Sequence, residues 1–84
     1  MKYTINILRR AQKQLAKIDR KNQQRIIEAI QTLSILPRPA GCKKLSGRPA
    51  WRIRIGSYRV IYEIQDDQLL ILVVEIGDRK NIYR

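Results

Sequence analysis

The segment LPRPAG, residues 36–41, divides this chain of 84 residues into two parts with different hydrophobic periods. Pro37 and Pro39 cannot continue a helix, and Gly41 favours a turn. Before this segment the apolar residues recur at helical spacing, and after it they form runs of strand length. The chain is therefore restricted to folds that form helices early and most of a sheet late.

Two amphipathic helices are predicted before the break, at residues 9–19 and 21–36. Their apolar stripes consist of Leu8, Ala11, Leu15 and Ile18 in the first helix and Ile26, Ile27, Ile30, Leu33 and Leu36 in the second. Asp19 is suited to cap the second helix, because a carboxylate can accept a hydrogen bond from a backbone N–H of the first turn. The short connection predicts a helical hairpin whose apolar faces need a sheet to cover them.

Four strands are predicted around this hairpin. The strand-like segments are residues 2–7, 51–55, 58–64 and 69–76. Gly56 and Ser57 suit a tight hairpin turn, and the run at 69–76 is apolar on both faces, which favours a central position. The sequence predicts one domain over residues 1–84 with an α+β fold of order β-α-α-β-β-β, in which the helical hairpin packs on one face of an antiparallel sheet.

The charge of the chain points to a polyanionic partner. There are 18 Lys and Arg residues against 7 Asp and Glu residues, a net charge of +11. Nucleic acid and an anionic membrane surface both attract such a protein. The longest apolar run, LLILVV at 69–74, is far shorter than the roughly 20 residues of a spanning helix, and no secretory signal is visible. We therefore expect a cytoplasmic protein that binds nucleic acid and no membrane.

The residue types exclude several classes of site. No histidine occurs and Cys42 is the only cysteine, which excludes histidine-based acid–base catalysis, an internal disulfide and most zinc sites. No glycine-rich phosphate-binding loop is present. We expect no metal and no cofactor. Arginine, lysine and tyrosine remain, and these residues bind phosphate and stack on bases.

The segment WRIRIGSYR, residues 51–59, carries three arginines and no acidic residue. Because side chains alternate across a strand, Arg52 and Arg54 share the face opposite the apolar residues between them. Arg59 follows the hairpin turn and can reach the same region. If the apolar residues face the helices, the open face of the sheet carries a cationic patch. Taken alone, these arginines are about equally compatible with a solvated strand face.

Other charged residues have plainer interpretations. Glu63 and Glu75 fall on the same side of their strands as nearby arginines, and ion pairing with Arg59 or Arg79 is favoured over a role as general base. The first helix also carries a basic stripe, for which a solvated face is favoured. Its members are Arg10, Lys13, Lys17 and Lys21.

Three segments resemble the RelE/ParE superfamily of bacterial and archaeal toxins, most closely its RelE-type mRNA interferases. They are KLSG at 44–47, WRIRIGSYRVIYEI at 51–64 and VEIGDRKNIYR at 74–84. The resemblance implies a small four-stranded antiparallel sheet with helices packed on it. It also implies a type II toxin that cuts mRNA in the ribosomal A site, leaves a 2′,3′-cyclic phosphate, and is silenced by a cognate RelB-like antitoxin.

The resemblance also implies which residues act. The catalytic set it implies is Arg52, Arg54, Arg59, Arg79 and Tyr83. In this scheme Arg59 holds the phosphate oxygens, Arg79 lies near the leaving oxygen, and Tyr83 stacks on a nucleotide. Arginine is a poor proton acceptor, so the identity of the general base stays open. The residues expected to bind RNA are Lys43, Lys44, Lys80 and Arg84.

This chain departs from the family pattern at two places. Arginines stand at 52 and 54 where well-studied RelE enzymes have lysines, and Asp78 follows Gly77 where several relatives have histidine or lysine. ParE-type gyrase inhibitors share the fold and lack nuclease chemistry. A gyrase-inhibiting protein and a nonenzymatic RNA- or ribosome-binding module therefore remain alternatives.

Overall fold

The computed structural model of the protein describes residues 2–78. The elements in chain order are β1 (Thr4–Ile7), α1 (Arg9–Ala16), α2 (Arg20–Leu33), β2 (Lys43–Lys44), β3 (Ala50–Ile55), β4 (Tyr58–Gln65), a single 3-10 turn (Asp66–Gln68) and β5 (Leu70–Asp78). The predicted α+β order is confirmed. The short strand β2 was not predicted, because two lysines carry no alternating apolar pattern.

The five strands form one sheet in the order β1-β5-β4-β3-β2. Strands β3, β4 and β5 are antiparallel neighbours, as predicted. Strand β1 instead pairs in parallel with β5, so the complete sheet is mixed. The reason is that the chain must leave β1 in the direction in which β5 runs, so that α1 can continue along the same edge of β5.

The central position of β5 is confirmed, because it lies between β1 and β4. Where β1 ends, α1 covers the rest of this edge. The backbone N–H of Leu8 donates to the carbonyl of Val73 at 2.9 Å, and the Gln14 Oε1 atom accepts from the backbone N–H of Ile76 at 2.8 Å. A helix side chain thus replaces a strand partner, which satisfies a backbone group that would otherwise need water.

Both helices end earlier than predicted. Asp19 caps α2 as expected, since its carboxylate accepts from the backbone N–H of Asn22, and this hydrogen bonding lowers the pKa of Asp19. Helix α2 ends at Leu33, after which the carbonyl of Ser34 accepts from the N–H of Tyr3 at 2.7 Å. The proline that follows Leu36 disfavours helical backbone before it. Leu36 is therefore 52% exposed and does not belong to the apolar stripe.

The core lies between the two helices and one face of the sheet. Its buried members are Ala11, Ile26, Ile30, Leu33, Ile53, Val60, Tyr62, Ile71, Val73 and Ile76. Trp51 and Ile55 pack against it on the same face as Ile53. The predicted orientation of β3 is confirmed, and its arginines consequently face away from the helices. Within residues 2–78, neither helix is long and apolar enough to cross a bilayer.

Candidate nucleic-acid interface

Four cations share the face of the sheet that is turned away from the helices. The register of the strands pairs Arg54 with Arg59 and Lys43 with Arg52. Directly opposed residues point to the same face, with Cβ atoms about 5 Å apart. We call Lys43, Arg52, Arg54 and Arg59 the cationic face. Like charges this close repel one another, so an anion that binds between them is favoured.

The members of the cationic face differ in exposure. Arg54 and Lys43 are exposed, whereas Arg59 is 2% exposed and Arg52 is 9% exposed. Arg54 lies beyond the end of β2, which pairs only with Trp51 and Arg52, while Arg59 lies on a strand flanked on both sides. The predicted patch is therefore open at Arg54 and largely buried at Arg52 and Arg59. Burial strengthens the interaction of a guanidinium group with an anion.

The two lysines of β2 lie on different faces. Lys43 opposes Arg52, whereas Lys44 opposes Trp51 and therefore belongs to the face that carries the helices. The Nζ atom of Lys44 donates to the carbonyl of Arg48 at 3.2 Å. Of the two predicted RNA-binding lysines, only Lys43 extends the cationic face.

A depression of about 280 Å³ lies at the β3–β4 turn, lined by Arg54, Gly56, Ser57, Tyr58 and Arg59. Gly56 adopts a φ of +61°, a conformation that favours glycine in a two-residue hairpin turn. The guanidinium of Arg25 lies 3.5 Å from the place where a Cβ atom on Gly56 would stand. Arg25 thus brings a further exposed cation to this end of the sheet. Sequence reasoning missed it, because helical periodicity does not say which turn of α2 meets the hairpin.

A second depression, of about 490 Å³, lies where α1 meets the end of β5. It is lined by Arg10 of α1, Lys17 just after this helix, Tyr58 of β4, and Glu75 and Asp78 of β5, among others. Tyr58 borders both depressions. The basic stripe of α1, predicted to be a solvated face, therefore contributes Arg10 and Lys17 to the candidate site.

Glu75 has a cationic neighbour on a helix that sequence reasoning did not name. A carboxylate oxygen of Glu75 lies 3.8 Å from Nη2 of Arg10. Arg79, one of the two partners that the sequence favoured, lies outside the described residues. Glu63 opposes Ala50 and Leu72, toward the other end of the sheet. No group of three or more potential metal ligands occurs among residues 2–78.

The other predicted site residues belong to the C-terminal segment. Arg79, Lys80, Tyr83 and Arg84 lie outside the described residues. The described part of the site thus consists of the cationic face, the β3–β4 turn, and the junction of α1 with β5.

The sequence of the chain matches a known family. The family model described as the ParE toxin of the type II toxin–antitoxin system parDE matches residues 5–83. The chain belongs to the RelE/ParE superfamily of toxins. Within this superfamily, the toxin RelE1 of Methanocaldococcus jannaschii is 32% identical over 88 residues, which cover 100% of this chain and 98% of that protein.

Solved structures of this toxin superfamily share the architecture. The RelE–RelB complex of Pyrococcus horikoshii contains a chain that matches with a TM-score of 0.85 at 26% identity, covering 96% of this toxin and 99% of that chain. The RelBE2 toxin–antitoxin complex of Mycobacterium tuberculosis gives a TM-score of 0.82 at 24% identity, covering 94% and 100%. Because its identity is only 24%, the similarity to the M. tuberculosis chain supports the fold alone.

Proposed function

We propose that this toxin is a ribosome-dependent endoribonuclease that cleaves mRNA in the A site and thereby inhibits translation. The observation that carries the proposal is the cationic face, on which Arg52, Arg54 and Arg59 converge through strand register. The similarity to the RelE1 toxin of M. jannaschii over the whole chain supports a toxin of the RelE type.

The chemistry that such a face can support is the cyclising cleavage of RNA. The ribose 2′-oxygen attacks the adjacent phosphorus, the bond from phosphorus to the 5′-oxygen breaks, and a 2′,3′-cyclic phosphate remains. Negative charge builds on the phosphoryl oxygens, and fixed guanidinium groups stabilise it. Arg54 is exposed and can contact the phosphate directly, whereas its neighbours Arg59 and Arg52 are largely buried on the same face. The nucleophile belongs to the substrate, so no metal is needed to generate it.

The residues of the C-terminal segment complete the proposal. Arg79 stabilises charge at the leaving oxygen, and Tyr83 stacks on a nucleotide. Lys80 and Arg84 join Lys43 and Lys44 in binding the RNA backbone through charge. Residues 1–84 act as one RelE-like domain in the cytoplasm, where the ribosomes are.

We also propose that a RelB-like antitoxin binds and silences this toxin. Toxins with the same fold occur in complexes with RelB in P. horikoshii and in the RelBE2 complex of M. tuberculosis. A protein with a net charge of +11 also binds RNA nonspecifically unless its cations are covered. An antitoxin that covers the cationic face would suppress both cleavage and nonspecific binding.

Gyrase inhibition is the second candidate function. One observation favours it, since the matching family model is described as a ParE toxin. The two functions share the fold and differ in target, so a fold comparison does not separate them.

The test is to add purified toxin to ribosomes that translate a defined mRNA and to map the mRNA ends, with a gyrase supercoiling assay in parallel. We expect new ends within A-site codons and no loss of supercoiling. The variant Arg54→Ala should cleave poorly, and Arg48→Ala, which removes an exposed arginine of the β2–β3 loop that is not part of the cationic face, should cleave normally. Intact mRNA together with inhibited gyrase would overturn the proposal in favour of the second candidate.

A further inference from the structure

Cyclising cleavage requires an acceptor for the proton of the ribose 2′-hydroxyl. Guanidinium groups are poor acceptors, because they stay protonated at any ordinary pH, and the chain has no histidine. We propose that the carboxylate of Glu75 is this acceptor, so that Glu75 is a catalytic residue of the toxin. This inference rests on the proposed endoribonuclease function and assigns a role within its site.

The seven side-chain carboxylates of the chain, which are the candidates for this proton acceptor, all lie within the described residues. Asp19 caps α2, and Glu28 is exposed on the same helix. Asp66 accepts hydrogen bonds from a tyrosine and an arginine in the β4–β5 turn, and Asp67 follows it there. Asp19 and Glu28 belong to the helices on the other face of the sheet, and both turn residues lie at the end of the sheet opposite the β3–β4 hairpin, so none of the four is near Arg59 on the cationic face.

Three carboxylates remain, all on strands. Glu63 lies four residues along β4 from Arg59, a separation of about 13 Å. Asp78 opposes Tyr58, a residue that packs against the core, so Asp78 is turned toward the helices. Glu75 opposes Ile61 on the face that carries the arginines, two residues from Gly77, which itself opposes Arg59. Among the seven, Glu75 alone combines the right face with proximity to Arg59.

An irregularity of the sheet gives Glu75 this orientation. The register shifts between Ile61 and Tyr62, because Ile61 pairs with Glu75 while Tyr62 pairs with Val73, leaving Val74 as the extra residue of a β-bulge. Strict alternation from Val73, a core residue, would turn Glu75 toward the core. The bulge shifts this phase by one residue, so that Ile76 is buried and Glu75 joins the cationic face.

The distances suit a shared phosphodiester. Glu75 and Arg59 are diagonal neighbours, which places their Cβ atoms about 7–8 Å apart, and Arg54 lies one strand further. A phosphate held by the arginines would bring the adjacent ribose within reach of a glutamate side chain. The Glu75 side chain is 21% exposed and borders the larger depression, so a ribose can approach it.

The ion pair of Glu75 does not prevent this role. Its partner Arg10 is 71% exposed and 3.8 Å away, and such surface pairs contribute about 0–1 kcal/mol. In the proposed step the 2′-hydroxyl proton moves to the Glu75 carboxylate while the 2′-oxygen bonds to phosphorus. The electron pair of the breaking bond stays on the 5′-oxygen, which takes a proton from water.

The decisive variant is Glu75→Gln, because it should leave RNA binding unchanged or tighter while it lowers the cleavage rate. The substitution removes a negative charge among cations, so RNA binding should stay equal or tighten. Loss of a general base should nevertheless lower the single-turnover cleavage rate at saturating toxin by about 10²–10⁴-fold. Glu63→Gln makes the same change on the same face, about 13 Å from Arg59 along β4 and roughly 7 Å further from the hairpin than Glu75, and should leave the rate within about twofold.

Chemical rescue supplies a readout that a structural role would not move. Added formate should restore part of the cleavage by Glu75→Ala, because a small carboxylate can occupy the vacated space. Formate should not rescue Arg54→Ala. Melting temperatures of all variants establish whether they are folded. If Glu75→Gln does not fold, Glu75→Asp replaces it, with a cleavage rate expected between those of wild type and Glu75→Ala.

The outcomes separate this inference from the proposed function. Undiminished cleavage by Glu75→Gln at saturation, with wild type active, would overturn the role of Glu75 and leave the endoribonuclease function standing. A larger loss in Asp78→Asn than in Glu75→Gln would move the base to Asp78. Absence of cleavage by wild type on programmed ribosomes would overturn the proposed function itself.

Discussion

At the scale of single residues, the two arginines that oppose each other across the β3–β4 hairpin differ in what surrounds them. Arg54 is exposed, and Arg59 is 2% exposed. An exposed side chain contributes little to the free energy of unfolding, whereas truncation of a buried one removes contacts throughout its surroundings. The pair therefore allows a catalytic contribution to be separated from a structural one.

We expect Arg54→Ala and Arg59→Ala each to lower the single-turnover cleavage rate by about 10²–10³-fold, since each removes a donor to the developing phosphoryl charge. Only Arg59→Ala should also lower the free energy of unfolding, by about 2 kcal/mol, and Arg54→Ala should change it by less than about 0.5 kcal/mol. Denaturant unfolding and single-turnover kinetics measure the two quantities. Equal stability of both variants would contradict a structural contribution of Arg59.

At the scale of elements, one cluster ties the beginning of β1, the segment after α2 and the β4–β5 turn together. Asp66 accepts from the hydroxyl of Tyr3 at 2.6 Å and from Nη2 of Arg38 at 2.9 Å. The Arg38 guanidinium also lies 5.2 Å from the ring centre of Trp51. The hydrogen bond from Arg38, followed by that from Tyr3, lowers the pKa of Asp66. The ionised carboxylate is thus the form that the folded protein favours.

The sign of the resulting pH dependence follows from linkage. A carboxyl group whose pKa is lowered by folding stabilises the protein above its unfolded pKa, and this contribution disappears as the pH falls through the lowered value. We expect Asp66→Asn to be less stable than wild type at neutral pH, and this difference to disappear across the acid range as the pH falls through the lowered pKa of Asp66. The effect should be small, because the group is exposed. Urea unfolding across this range measures it.

Asp67→Asn is the matched control for this experiment. It changes the neighbouring residue of the same exposed turn. The hydrogen bonds from Tyr3 and Arg38 go to Asp66 and not to Asp67. The stability difference between this variant and wild type should stay nearly constant with pH. A pH dependence equal to that of Asp66→Asn would mean that the net charge of the protein, and not the contacts of Asp66, controls its stability at acid pH.

At the scale of the whole molecule, the net charge of +11 dominates how the toxin meets its partners. Several cations gather near the β3–β4 end of the sheet, namely the cationic face, Arg25 at the hairpin turn, Arg10 of α1 and Lys17 just after this helix. Binding of RNA to such a surface releases counterions, so its affinity falls steeply with salt concentration.

We expect the complex with a RelB-like antitoxin to bind nonspecific RNA more weakly than the free toxin, and with a shallower dependence of log affinity on log salt. The reason is that covered cations no longer neutralise phosphates. Titration of a labelled RNA across salt concentrations measures both quantities, and an antitoxin from an unrelated system serves as control. The same affinity and slope for free and bound toxin would show that the antitoxin leaves the cationic face open.

Local features of the sequence were sufficient for the outline of the fold and for the cations of the site. The change of hydrophobic period at LPRPAG, the Asp19 cap and the Gly56-Ser57 turn predicted the order of elements. Alternation along WRIRI placed Arg52 and Arg54 on the face away from the helices. Each of these properties depends on residues within a few positions of one another, so the sequence alone determines it.

Other features depend on contacts between distant parts of the chain. The parallel pairing of β1 depends on where α1 must run. Arg59 is buried because its strand is flanked on both sides. The position of Arg25 depends on how α2 packs over the hairpin. The bulge at Val74 turns Glu75 to the arginines while Ile76 stays in the core. The periodicity of one strand does not predict this bulge, because the bulge depends on the free energy of pairing with β4. The tertiary structure therefore decided which carboxylate accompanies the cations that the sequence had identified.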